Sequence, residues 1–293
     1  DQESRQPYVE GFVVNELARL GSHFRKNMDL EEYLKQHDIV GIQGVDTRYI
    51  TKLIRNKGCM NGLITTHHYD DLSDVLKRIH EYKVSGVVKQ TTCCEPYVLG
   101  KGAYKVALYD FGAKQNIARE LVKRNCEVTV FPADTPAKTI LEGHFDGIML
   151  SNGPGDPEEC VDIIENMKIL SQSGLPIFAI CLGHQLMALA HGFQTEKMVY
   201  GHHGANHPVK DLKTNRVYIS TQNHNYVVKE ESLDSQVAKI WFQNVNDGTL
   251  EGIEYLQEPI KTVQFHPEAC AGPLDTSYLF DEFIKMMGGN QNA

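Results

Sequence analysis

The sequence predicts an α/β protein whose C-terminal part is a doubly wound, mostly parallel sheet and whose N-terminal part is a smaller mixed α/β domain. Three observations carry this. From Lys105 onward, short apolar runs alternate with segments of helical period, the pattern of a parallel sheet covered by helices on both faces. Before residue 90 the texture differs, with two helix-like stretches and little strand pattern. Between the two lies an aperiodic stretch, 91–102, carrying Pro96, Gly100 and Gly102, as a connection between domains would. A chain of 293 residues is long enough for two such cores.

Taken in order, 30–36 and 71–82 read as helices, the second with Leu72, Val75, Leu76 and Ile79 at three-to-four spacing. Residues 62–65 and 84–88 read as extended. The expected division is an N-terminal domain over 1–92, a linker over 93–103 and a second domain over 104–293. Residue 1 is not methionine and no targeting pattern opens the chain, so the start reads as a fragment boundary with part of the first domain missing. In the second domain, strands are expected at 106–109, 128–131, 147–150 and 176–180, with helices at 115–124 and 162–171. Strand-rich sequence follows Val217, with runs at 241–242, 252–255 and 262–265, and a last helix at 279–287. No repeat or low-complexity segment interrupts it.

The net charge of −9 is spread along the chain, which leaves no basic footprint for nucleic acid or an anionic membrane surface. No run of about 18 apolar residues could span a bilayer as a helix. The seven cysteines are irregularly spaced, with no CxxC pair, which argues against a disulfide framework or a zinc site and suits a reducing, cytoplasmic setting.

The most informative stretch is 176–192, PIFAICLGHQLMALAHG, an apolar strand running straight into a helical pattern with Cys181 at the junction. A cysteine after an apolar strand is commonly a buried structural thiol. A sharp strand-to-helix turn, however, holds the side chain clear of the sheet, and the helix N-terminus favours a thiolate and offers free N–H groups to an oxyanion. A thiolate nucleophile needs a histidine base and a group that orients it, and Phe265-His266-Pro267-Glu268 supplies both after another strand. Two positions apart in extended backbone, His266 and Glu268 face one side. The loop Ser151-Asn152-Gly153-Pro154-Gly155-Asp156 follows a third strand; it is a plain Gly-Pro turn or a cradle whose backbone N–H groups join that of Leu182 in an oxyanion hole.

The Gly-Pro-Gly loop, the Cys-Leu-Gly-His-Gln turn and the His-Pro-Glu segment, in that order, resemble the class I (triad) glutamine amidotransferase family. The resemblance implies that Cys181 attacks the glutamine side-chain amide, His266 shuttles the proton and Glu268 orients His266. Residues 201–209 (GHHGANHPV), 222–226 (QNHNY), 46–48, 57–62 and 269–275 are similar to segments of the carbamoyl-phosphate synthase small chains within it. That likeness covers nearly the whole chain and implies a glutaminase that passes ammonia to a large synthetase chain for carbamoyl phosphate formation, in arginine and pyrimidine synthesis. ATP and magnesium would belong to the large chain, and no cofactor or metal to this one. Glutamine contacts carried over by motif are Gly153, Gly155, Leu182, Gln185 and Asn223, with backbone at Asn225 and the ring of Tyr226. The family commonly has Gly where Asn225 stands, which asks whether Asn there takes left-handed backbone. A serine contact from the family's first domain lies upstream of this start.

Three other patterns are set aside. His202, His203 and His207, with His224, lack a recognised metal-ligand spacing, and structural roles explain them. Asp110-Phe111-Gly112 matches a kinase magnesium tripeptide, but no phosphate loop accompanies it, and Asp110 reads as a strand end. His184, three positions into the helix from Cys181, returns near the same face; direction alone leaves it as a second base or a packing or interface residue.

Overall fold

A computed structural model describes residues 3–4 and 6–288. The chain forms two compact units: one reaches Val84, and the other runs from Ser85 on and also includes residues 3 and 4.

The first unit contains β1 (Gly11–Val13), α1 (Leu30–Gln36), β2 (Val40–Ile42), α2 (Thr47–Lys57) and α3 (Ser73–Glu81). β1 and β2 pair in parallel, Phe12 opposite Gly41, with α1 as the crossover. α2 starts where the Asp46 carboxylate accepts from the Tyr49 N–H at 2.9 Å, an N-cap that satisfies one of the helix's orphan donors. Asn61 ties α3 down by donating to the carbonyls of Ile79 and Tyr82. Val75 is the buried apolar side chain among this unit's described residues. The stretch expected as a strand over 62–65 has no strand pairing.

The second unit holds α4 (Val87–Thr91), β3 (Tyr97–Leu99), β4 (Tyr104–Asp110), α5 (Gln115–Lys123), β5 (Cys126–Pro132), α6 (Ala137–Glu142), β6 (Gly147–Leu150), α7 (Val161–Ser171), β7 (Ile177–Ile180), α8 (Leu182–Ala190), β8 (Thr195–Asp211), β9 (Val217–Val228), β10 (Ala238–Asn244), β11 (Leu250–Tyr255), β12 (Ile260–Val263) and α9 (Tyr278–Met286). Ten strands form one sheet in the order β3-β5-β4-β6-β7-β12-β11-β10-β8-β9. β5, β4, β6, β7 and β12 run parallel; β3 and the strands beyond β12 pair antiparallel.

The period-2 alternation of the buried strands splits the core into two faces. Ile177 and Ala179 of β7 join Ile148 and Leu150 of β6 under Ile163, Met167, Leu182 and Leu186 of α7 and α8. Phe178, Ile180 and Met149 point the other way, against Ile117 and Leu121 of α5 and Phe280 and Phe283 of α9. Helices thus cover both faces, which is the doubly wound α/β fold.

Two expectations are corrected here. Residues 84–88, read as extended from their β-branched valines, turn into α4 at Val87. Gly86 at φ 63° initiates it, and Val88 is buried in the core, so tertiary burial outweighs local propensity. The expected linker over 93–103 carries β3, which pairs antiparallel with β5 as an edge strand, and the compact unit already begins at Ser85.

Candidate active site

Three loops leave the carboxyl ends of adjacent central strands, the crevice where open α/β sheets place their chemistry. After β6 comes 151–156, after β7 comes Cys181, and after β12 come His266 and Glu268.

Cys181 stands between β7 and α8 with φ 54° and ψ −104°, a backbone state that costs a non-glycine residue of order 1–3 kcal/mol and persists only where its surroundings enforce it. They do so here: its N–H donates to the Val263 carbonyl at 2.8 Å, fastening the turn to β12. Gly183 passes against β6 so closely that an added Cβ would lie 2.8 Å from the Leu150 carbonyl oxygen and 2.9 Å from that of Ser151. The thiol is buried, beside the first N–H groups of α8.

His266 and Glu268 are both buried, and His266 Nδ1 lies 2.8 Å from Glu268 Oε1. The His266 main-chain N–H is held by the Thr221 carbonyl at 2.9 Å. With Nδ1 committed to the carboxylate, Nε2 has no partner of full hydrogen-bond geometry among the described residues, and its neighbour is Cys181. Burial lowers the pKa of the His266 ring, but the Glu268 carboxylate and the Cys181 sulfur outweigh it and the net shift is upward. For Glu268 burial raises the pKa, and His266 and then Lys114 reverse the shift, keeping the group a carboxylate. Such a set can hold an imidazolium beside a thiolate and return a proton to a leaving group.

Gly153 abuts both Phe111 and α8: a Cβ there would sit 2.3 Å from the Phe111 carbonyl and 2.6 Å from Leu182 Cδ2. Gly155 follows at φ 97°. The Gly loop is therefore fixed beside the start of α8, where Leu182 begins the helix. Gln185, one turn on, donates from Nε2 to the Tyr226 carbonyl and to Gln264 Oε1, both at 2.9 Å. Asn223 and Asn225 lie on β9 with Oδ1 atoms 3.0 and 3.2 Å from the two ring nitrogens of His203. Asn225 is extended strand without left-handed φ, so the backbone does not demand the family's Gly at this position. The Tyr226 hydroxyl is paired with Asp156 of the Gly loop, and burial together with that carboxylate pushes its pKa up to about 12.

His184 faces elsewhere. Fully buried, its Nδ1 lies 2.7 Å from Thr262 Oγ1 on β12, and burial lowers its pKa to about 3. It is a packing residue beneath the sheet. Asp110 ends β4 by accepting from the N–H groups of Cys93, Gly112 and Ala113, which makes it a turn-forming carboxylate. The histidine group sorts by strand alternation: His202 pairs across from His224 and points inward, whereas His203 pairs across from Asn223 and points outward. The inward pair meets Glu251, and one ligating atom from each of these three lies within 4.8 Å of the others.

Sequence reasoning passed over several participants. Lys114 acts on the Glu268 charge and is itself paired to Glu3 at 2.9 Å; Asn116 Nδ2 donates to the Glu268 carbonyl at 3.2 Å. Glu251 is supplied by β11, and Gln264 stands directly after β12, two residues before His266. Only the position of Lys114 and Asn116 at a helix start just after β4, whose carboxyl end opens on the same crevice, could have flagged any of them.

The family described as "Glutamine amidotransferase class-I" matches residues 107–286, and "Carbamoyl-phosphate synthase small chain, CPSase domain" matches residues 1–64. The carbamoyl phosphate synthase small chain of Clostridium perfringens is 45% identical over 97% of this chain and 80% of its own length. Those of Listeria monocytogenes (44%, 100% and 80%) and Escherichia coli (42%, 98% and 80%) are similar to the same degree. Among solved structures, a Thermoplasma acidophilum protein described as a GMP synthase component shares the fold, with TM-score 0.56 and 21% identity over 64% of this chain and 94% of that one. By sequence along nearly its whole length, and by the fold of its second unit, this chain belongs to the carbamoyl-phosphate synthase small chains, the class I glutamine amidotransferase subunits of that ligase.

Proposed function

We propose that the chain hydrolyses L-glutamine to glutamate and ammonia through Cys181, His266 and Glu268, and delivers the ammonia to the large chain of carbamoyl-phosphate synthase. The observation that carries the reading is the buried His266–Glu268 pair, 2.8 Å apart, set against Cys181 at the N-terminus of α8. His266 takes the thiol proton, and the Cys181 sulfur adds to the side-chain amide carbon. The N–H groups of Leu182 and the Gly153–Gly155 turn are the donors for the oxyanion. Collapse breaks the C–N bond; the amide nitrogen leaves as ammonia with the proton from His266, and a glutamyl thioester remains. Water, deprotonated by His266, then releases glutamate and restores the thiol. Glu268 keeps Nδ1 protonated and Nε2 directed at the sulfur throughout.

Gln185, Asn223, Asn225 and Tyr226 are the candidate contacts for the amino-acid end of glutamine. ATP and magnesium chemistry we assign to the large chain. The test is to mix the protein with a large chain and measure glutamine-dependent and ammonia-dependent carbamoyl phosphate formation for wild type and Cys181→Ser. Loss of only the glutamine-dependent activity supports the reading; equal loss of both, or loss of neither, refutes it.

A further inference from the structure

Behind the candidate glutamine segment of β9 lies a buried polar chain that the triad chemistry does not use. Glu251 on β11, fully buried, accepts from Asn244 Nδ2 at 2.9 Å on Oε1 and from Gln222 Nε2 at 2.8 Å on Oε2. Because a carboxylate only accepts, it turns the Gln222 amide so that Oε1 faces the other way, 2.9 Å from His224 Nε2. His224 Nδ1 in turn lies 2.8 Å from the Tyr226 carbonyl, the same oxygen that accepts from Gln185. The chain thus runs from β11 through β9 to α8, the helix that follows Cys181. His224 sits between Asn223 and Asn225, so whatever fixes its ring fixes the backbone that carries both.

Both ring nitrogens of His224 face acceptors. Only a ring carrying both protons donates to both; burial opposes the second proton, and the Glu251 carboxylate at the root of the chain favours it. His202 on β8 stands between two carboxylates, its Nδ1 3.3 Å from Glu251 and its Nε2 2.7 Å from Asp247. An isolated buried carboxylate is costly, and its retention at the root of such a chain calls for a role.

We infer that Glu251 is a positioning residue for glutamine binding, which through Gln222 and His224 holds the Tyr226 carbonyl and the 223–226 segment in their binding shape. This rests on the glutaminase reading above. Removing the root of the chain should loosen the bound substrate more than it slows the chemistry, because Cys181, His266 and Glu268 are held by other contacts. Chemistry also predicts which substitution is tolerated. An amide at position 251 can donate as well as accept, so Gln222 can turn over, offer Nε2 to His224 and let a neutral ring give its one proton to Tyr226. A leucine can do neither.

The experiment is steady-state glutaminase kinetics of the protein with its large chain for Glu251→Leu, Gln222→Met, Glu251→Gln and Cys181→Ser, with thermal unfolding of each. Glu251→Leu and Gln222→Met should raise the glutamine KM about ten- to hundredfold, the scale of a lost hydrogen bond to a charged group, with kcat within about threefold. Glu251→Gln should stay within about threefold of wild type in both constants. If Glu251→Leu does not fold, Gln222→Met carries the comparison. An unchanged KM in Gln222→Met, a fall in kcat at constant KM, or equal damage from Glu251→Gln would overturn the inference. An active Cys181→Ser would instead refute the glutaminase reading, so the two failures are distinct.

Discussion

His266 Nδ1 and Glu268 Oε1 stand 2.8 Å apart with both side chains buried, so the proton on Nδ1 has one place to go and Nε2 is left for Cys181. Glu268→Gln keeps the shape but presents an N–H or a weaker acceptor to Nδ1, which favours the wrong tautomer. Its kcat for glutamine hydrolysis should fall by about 10³- to 10⁴-fold with KM changed only a few-fold, as measured by glutamate release. A loss under tenfold would mean that orientation of the ring comes from elsewhere.

The same pair makes stability depend on pH. His266 is raised in the folded protein, so its contribution is complete below its unfolded pKa of about 6.5 and is lost as pH climbs through the folded value, about 10. Glu268 is lowered, so its contribution is present above about pH 4.3 and is lost on acidification through its folded value. The stability gap between wild type and His266→Gln should therefore be widest near pH 5–6.5, about 3–5 kcal/mol, and narrow towards pH 10. Urea midpoints at pH 5.5, 8 and 10 would check it; a gap that widens with pH contradicts the assignment.

How far the sequence reveals this fold follows from where the energy lies. β6, β7 and α7 are readable to within a residue because buried parallel strands are continuous apolar runs and the helix between them has its own period. Cys181, His266 and Glu268 stand out as candidates because the first directly follows β7 and the other two follow β12. α4 is not, since its five residues form a helix only because Val88 is drawn into the core. β3 is lost for a related reason: an edge strand of three residues has too little pattern to stand out from a linker. Glu251 and Lys114 acquire their roles only when strands far apart in sequence meet. The outward turn of His203 depends on register between β8 and β9, which one sequence does not display.

Gly183 is required by close approach, since its position would put a Cβ under 3.0 Å from two backbone carbonyl oxygens that cannot move without shifting β6. Gly183→Ala should cost about 1–3 kcal/mol, visible as a lower thermal midpoint. Its kcat should fall too, because any shift of α8 moves Cys181 away from His266. An alanine variant as stable and active as wild type would mean that α8 packs less tightly than the distances indicate.

His184 lies one helical turn from Cys181, and His266 follows β12, the strand paired with β7, yet only His266 faces the sulfur. His184 Nδ1 is committed to Thr262 at 2.7 Å, and burial holds its pKa near 3, so the ring is neutral and occupied at working pH. Replacing it removes packing volume and one hydrogen bond but no proton path. His184→Ala should therefore lose about 2–4 kcal/mol of stability and keep kcat within about tenfold at a temperature where it is folded. His266→Ala should lose kcat by several orders of magnitude under the same conditions. Side-by-side glutaminase assays at low temperature separate the two, and a near-total loss confined to His184→Ala would reassign the base.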